Sequence, residues 1–304
     1  MTQWMPRMAL VCVALLSALA AAAPARAGTA ADGSDAGGTR VDDGTAETAT
    51  GAEAAPSQES DSGPDLPATS LPGGLELHRP NYIMPLTWTD RAHGKGDAEL
   101  KFQISLKHRL GETPFYFGYT QVAYLRWLDR KHSRPFREIN FNPELWYRFR
   151  PGRLPPDWLG LDLGYEHESN GEDLPGSRSW DRLYARPWFE EGPWRGALKI
   201  WYRIPEPKKD SPDDPSGDDN PDILDYYGYH EATLGYTFDD GDWVSVMTRY
   251  AFATQRGAIR LDYAIPTPTN RSYFFFQLFS GYGESLQTYH DERTRIGVGF
   301  ALLQ

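Results

Sequence analysis

The stretch YEHESNGEDLPGSRSWDRLY, residues 165–184, holds the side chains whose types and spacing could do chemistry. His167 and Ser169 are two apart. In a strand, residues i and i+2 share one face. An imidazole and a hydroxyl then stand side by side, close enough for the imidazole to take the serine proton and make the oxygen a nucleophile. Asp181 follows a polar loop that contains Gly171, Pro175 and Gly176. A hairpin would carry it back to the far nitrogen of the imidazole, where a carboxylate orients the base. The same residues have a plainer reading as a polar strand end, where Ser, Asn and Gly serve the turn itself. His-x-Ser alone does not decide between the two, so the elements that would position it carry the weight.

Those elements read as strands. Aromatic residues become dense from about residue 78 and remain so to the end, and no convincing amphipathic helix appears. Strand-length runs separated by turns recur at 81–88, 98–108, 115–128, 137–150, 161–169, 180–190, 195–203, 226–237, 243–253, 257–265, 271–280 and 294–303. The final run shows the pattern: Ile296, Val298, Phe300 and Leu302 alternate with Arg295, Gly297, Gly299 and Ala301. A soluble sandwich also alternates, with its apolar face inward. Three features favour an antiparallel transmembrane β-barrel: strands of about ten residues, an even count of twelve, and Trp/Tyr pairs near strand ends. The pairs are Trp146 and Tyr147, Trp180 and Tyr184, Trp201 and Tyr202, and Tyr226 and Tyr227. Connections alternate too. The segment 206–220 is long and acidic, while 239–241 and 267–270 are short, the asymmetry of an outer-membrane barrel.

The rest of the 304 residues bounds the reading. Residues 1–27 have the form of a signal peptide: Arg7, an apolar run, then Ala25-Arg26-Ala27 as a small-x-small cleavage site. The only cysteine, Cys12, lies inside it, so an exported chain would hold together without disulfides. Removing Arg7 and Arg26 takes the net charge from −11 to −13, a poor match for nucleic acid. Residues 28–76 are acidic and low in complexity, with no aromatic residue, and are expected to be disordered. Residues 77–304 form the barrel domain. Mean hydropathy is −0.59, which excludes a helical membrane protein but not a barrel, whose alternating strands average out as hydrophilic. The acidic segment 206–220 offers hard oxygens for calcium but lacks an EF-hand spacing, and reads as a solvated external loop.

Longer blocks extend the pattern: LKFQISL at 100–106, GYTQ at 118–121, RPFRE running into NFNPEL at 134–145, HESNG with SRSWDRLY at 167–184, NPDI at 220–223, SGYGESL from 280 and TRIGVG from 294. On these residues the chain resembles the outer membrane phospholipase A family, from about residue 78 to the C-terminus. The resemblance implies a twelve-stranded barrel and a Ca2+-dependent phospholipase A1/A2 of the cell outer membrane. It would act on acyl esters of membrane phospholipids and be activated as a homodimer. By position, Ser169 is the implied nucleophile, His167 the base and Asp181 its orienter, with the N–H of Gly171 in the oxyanion hole. Implied calcium ligands are the Ser177 hydroxyl, the Glu172 carbonyl and the carbonyl of Ser133 of the partner subunit. Gln121 matches a polar residue of the dimer interface. Two positions depart from the family: Asp181 stands where the best-known members have asparagine, and the chain ends in Leu302-Leu303-Gln304 without a terminal aromatic residue. Two rival readings share the strand pattern, a porin or structural barrel without catalysis and a soluble secreted lipase.

Overall fold

A computed structural model describes residues 70–71, 74–90, 98–128, 136–156, 158–211, 214, 216–268 and 272–303. The expected signal peptide with Cys12, most of the 28–76 segment, and Ser133 lie outside them. Twelve antiparallel strands close into a ring. They are β3 (Asn81–Thr89), β4 (Glu99–Arg109), β5 (Phe115–Leu125), β6 (Phe136–Phe149), β7 (Gly160–Ser169), β8 (Ser179–Glu191), β9 (Trp194–Arg203), β10 (His230–Thr237), β11 (Trp243–Ala251), β12 (Arg256–Pro266), β13 (Tyr273–Gly281) and β14 (Arg293–Leu302). Each pairs with its sequence neighbours, and β14 returns to β3. Two short pieces precede them: β1 (Ser70–Leu71) and β2 (Leu75–Leu77), the second laid on β4 with Leu77 opposite Leu106. β2 straddles the sequence-based boundary between residues 76 and 77.

Closure satisfies every strand edge, as a sheet in hydrocarbon requires. The side chains sort accordingly. Ile83, Ile104, Leu145, Leu163, Leu183, Ile200, Phe276 and Ile296 are exposed on the outer wall. Lys101, Lys107, Glu138, Glu144, Arg148, Asp162, Glu166, Arg182 and Arg295 are buried in the lumen. β14 follows its sequence pattern, with Ile296, Phe300 and Leu302 outward and Arg295, Gly297 and Ala301 inward. A polar interior and an apolar exterior make this an outer-membrane barrel.

Two expectations fail in detail. The strand read over 226–237 begins only at His230, because the chain first makes a four-residue helix, α1 (Leu224–Tyr227). Gly228 then turns it at φ 67° against the backbone of Tyr250, where any side chain would collide. The aromatic pairs do not form the interfacial girdle either. Trp146, Trp180, Tyr184, Trp201 and Tyr227 point inward and are buried together, while of the adjacent pairs only Tyr147 and Tyr202 face out. Neighbours in a strand take opposite faces, so an adjacent pair cannot both be interfacial. Other aromatic residues fill the outer belts, among them Trp88, Phe136 and Phe252 towards one end and Phe115, Trp194 and Phe238 towards the other.

The chain leaves β4, β6, β8, β10 and β12 at one end of the ring. The chain leaves β7, β9, β11 and β13 at the opposite end, and the described residues of 204–229 lie there with 170–178, 252–255 and 282–292. Two of these fold inward and fill that mouth: Ile223 and Tyr227 from one, Leu286 and Tyr289 from the other, against Trp180 and Trp201. Lys101 and Arg295 grip Glu284 at 3.1 and 2.8 Å, and Gln287 N donates to Glu138 at 2.7 Å. Burial opposes ionisation of Glu284, but the two cations prevail and hold its carboxyl at about 2. Burial, with a hydrogen bond to Asp222, pushes the Tyr289 hydroxyl up.

Candidate active site

β7 and β8 form the hairpin expected of the 165–184 stretch, with the register His167 opposite Asp181 and Ser169 opposite Ser179. Along β7, Leu163 and Tyr165 are exposed on the outer wall, whereas Asp162 and Glu166 are buried in the lumen. Alternation therefore puts His167 and Ser169 on the lipid-facing side, at the end that opens on the long loops. His167 Nδ1 and Asp181 Oδ1 are 2.9 Å apart, both side chains partly exposed. Tyr165 Oη donates to the same Asp181 oxygen at 2.5 Å. With Nδ1 engaged by a carboxylate, the imidazole carries its proton there, and Nε2 remains as the basic nitrogen for a neighbouring hydroxyl.

The lumen side of the hairpin explains why the outer side is fixed. Glu166 takes an ion pair from Arg182 and another from Lys199, and Arg182 also reaches Glu168 at 2.8 Å. The Arg182 guanidinium lies 3.7 Å over the ring of Trp180, whose Nε1 donates to Glu168 at 3.1 Å. Asn142 on β6 donates to the His167 carbonyl at 2.8 Å. These are charge-assisted bonds in a shielded interior, where such contacts are short and directional. They clamp β7 and β8 in one register, and that register sets which side chains meet outside.

The connection 170–178 leaves Ser169 and returns at Ser179. Asn170 organises it: its Oδ1 accepts from Arg178 N at 2.9 Å and Glu172 N at 3.3 Å, and its Nδ2 donates to the Gly176 carbonyl at 2.8 Å. Between them Gly171 sits at φ 63°, and a Cβ there would lie 2.8 Å from the Phe141 ring. Both the backbone angle and the space require glycine. Among the described residues the Gly171 N–H has no protein acceptor. Ser177 Oγ donates to Asp219 at 2.5 Å, so the acidic connection leans on this loop. Lys209 pairs with Asp219 at 2.5 Å and Arg203 with Asp218 at 2.5 Å. Desolvation first, then the charge of Asp218, raises the Glu206 carboxyl. Bonds from the Ser216 backbone and hydroxyl lower Asp214.

Gln121 lies on β5 opposite Phe141, which in turn lies opposite Ser169. Gln121, Phe141 and Ser169 therefore form one row across three strands. At about 4.8 Å per strand the two ends of the row are roughly 10 Å apart. Tyr119 Oη donates to Gln121 Oε1 at 3.0 Å. Of the sequence-predicted residues, the fold gathers His167, Ser169, Asp181, Gly171, Glu172 and Ser177 around one hairpin end, with Gln121 along the wall. Ser133 lies outside the described residues. Among the described residues no three His, Cys, Asp or Glu side chains form a metal-holding group. The implied calcium set is a hydroxyl and carbonyls, hard oxygens that suit calcium, and the Ser177 hydroxyl stands against a carboxylate. Sequence reasoning missed Tyr165 and Asn170. An Asn before a glycine at a strand end is a signal for the second. The first needs the cross-strand diagonal.

A sequence profile of the family described as "Phospholipase A1" matches residues 67–302. The phospholipase A1 of Klebsiella pneumoniae is 34% identical over 247 residues, covering 75% of this chain and 82% of that protein. That of Escherichia coli K12 is 35% identical over 228 residues, covering 72% and 74%. Among solved structures, outer membrane phospholipase A from Escherichia coli superposes with a TM-score of 0.65 at 32% identity, over 75% of this chain and 98% of that one. The Salmonella typhi outer membrane phospholipase, described as a dimer with bound calcium, superposes with a TM-score of 0.66 at 32% identity, over 76% and 93%.

Proposed function

Because this chain belongs to the phospholipase A1 family, we propose that it is a calcium-dependent outer-membrane phospholipase, active as a homodimer, whose nucleophile is Ser169. One observation carries the reading: an imidazole bonded at Nδ1 to a carboxylate shares a lipid-facing wall with a serine two residues on. A polar group there is costly unless it has work to do. The Ser169 proton passes to His167 Nε2 as Oγ attacks the acyl carbonyl carbon. Asp181 accepts from Nδ1–H and stabilises the imidazolium. The Gly171 N–H donates to the developing oxyanion. His167 then returns the proton to the departing glycerol oxygen, and water from the interface hydrolyses the acyl-serine by the same route. The Ser177 hydroxyl, the Glu172 carbonyl and the carbonyl of Ser133 of the partner subunit would hold calcium, which when bound supplies positive charge beside the oxyanion.

Two further features support this reading. A groove of about 360 Å³ lined by Phe115, Leu145, Leu163, Tyr165 and Leu183 runs along the outer wall below the hairpin end and offers an acyl chain an apolar bed. Gln121 lies in the same row as Ser169, so a second barrel mating there would seat its loops beside the serine. Against a porin stands the mouth filled by Ile223, Tyr227, Leu286 and Tyr289. The test is phospholipid hydrolysis with and without a calcium chelator, for the natural chain and for Ser169→Ala. Hydrolysis that disappears with chelator and with Ser169→Ala is expected. Full activity of Ser169→Ala in calcium rejects the assignment.

A further inference from the structure

Asp181 Oδ1 accepts two bonds: from His167 Nδ1 at 2.9 Å and from Tyr165 Oη at 2.5 Å. Tyr165 is registered opposite Leu183, so its hydroxyl reaches Asp181 along the diagonal. Such diagonal neighbours are within reach of an aromatic side chain. Tyr165 lines the outer groove together with Leu163 and Leu183. A carboxylate on a lipid-facing wall has fewer water partners than one in bulk solvent, and donors from the protein take their place. A bond to an ionised acceptor is about twice as strong as a neutral one.

We propose that Tyr165 is a positioning residue for the hydrolysis: its hydroxyl holds the Asp181 carboxylate turned so that one oxygen meets His167. The inference rests on the Ser169, His167 and Asp181 reading. It differs from a packing role in one respect. Tyr165 matters through the charge of Asp181, so its loss costs most when that charge is present. Phenylalanine keeps the ring in its groove and removes only the donor.

The experiment measures kcat and KM on dispersed phospholipid for the natural chain, Tyr165→Phe, Asp181→Asn, the double variant and Ser169→Ala. It also measures the rate at which a fluorophosphonate labels Ser169. The upward or downward shift of an unheated sample in a gel reports the folded barrel, and Tyr165→Leu replaces Tyr165→Phe if the latter does not fold. Tyr165→Phe is expected to lower kcat and the labelling rate about tenfold with KM unchanged, and to cost only about two- to threefold in the Asp181→Asn background, the ratio a charge-assisted bond implies. An equal loss in both backgrounds, a change confined to KM, or no change in kcat overturns the inference while leaving the nucleophile assignment intact. An active Ser169→Ala overturns both.

Discussion

At the scale of single residues, Asp181 stands where the family resemblance expects asparagine, and it meets the imidazole across the hairpin. It sits opposite His167 in the β7–β8 register and takes the Nδ1 bond at 2.9 Å. An asparagine oxygen would accept the same proton. Asp181→Asn should therefore retain much of the activity, whereas Asp181→Ala, which leaves the imidazole without its acceptor, should lose roughly 10- to 100-fold, the worth of a hydrogen bond to a charged partner. Initial rates on one phospholipid check this, and equal rates for the two variants would show that no orienter is needed. The pairing was legible in the sequence because it needs only a strand, a turn and a strand. Tyr165 was not, because its role depends on how a diagonal neighbour tilts.

At the scale of elements, the hairpin and its 170–178 connection act as one unit. Glu166, Arg182 and Lys199 lock the register from inside, and Asn170 shapes the loop beyond it. Gly171 is the position where that loop tolerates no side chain. Gly171→Ala should displace the loop from Phe141 and reduce hydrolysis more than tenfold, while strain of about 1–2 kcal/mol leaves the barrel folded. Rates measured beside unheated-gel migration separate the two effects. Period-two alternation made β14 legible down to single faces. It failed over 226–237 because a tyrosine-rich run before His230 looks like a strand whether it lies in the wall or, as Tyr227 does, drops into the lumen. The aromatic pairs misled for a related reason: an adjacent pair contributes one ring to each face, and Trp180 and Tyr184, four apart, both turn inward.

At the scale of the whole molecule, stability comes from a polar interior and a filled mouth. Glu284 ties the 282–292 connection to β4 and β14 through Lys101 and Arg295. Its carboxyl is held at about 2, below the ordinary 4.5, so its stabilisation is complete above pH ~4.5 and is lost as the pH falls towards 2. The natural chain should unfold at a lower temperature at about pH 2.5 than at about pH 5, and Glu284→Gln should narrow that difference. Thermal melts in detergent at the two pH values check it, and an unchanged difference in the variant would remove Glu284 from the account.

The position of Ser169 at the rim shared with the long connections has a further consequence. If Ser169 is the nucleophile, as proposed, a reactive centre on the outside of a closed ring, near one end only, would meet the bilayer at a single depth. Substrate would then arrive by sliding sideways in two dimensions, and no molecule would need to be lifted out of the sheet of lipid to be cut. With Ser169 as the proposed nucleophile, turnover would track how many diacyl molecules occupy the leaflet at that depth.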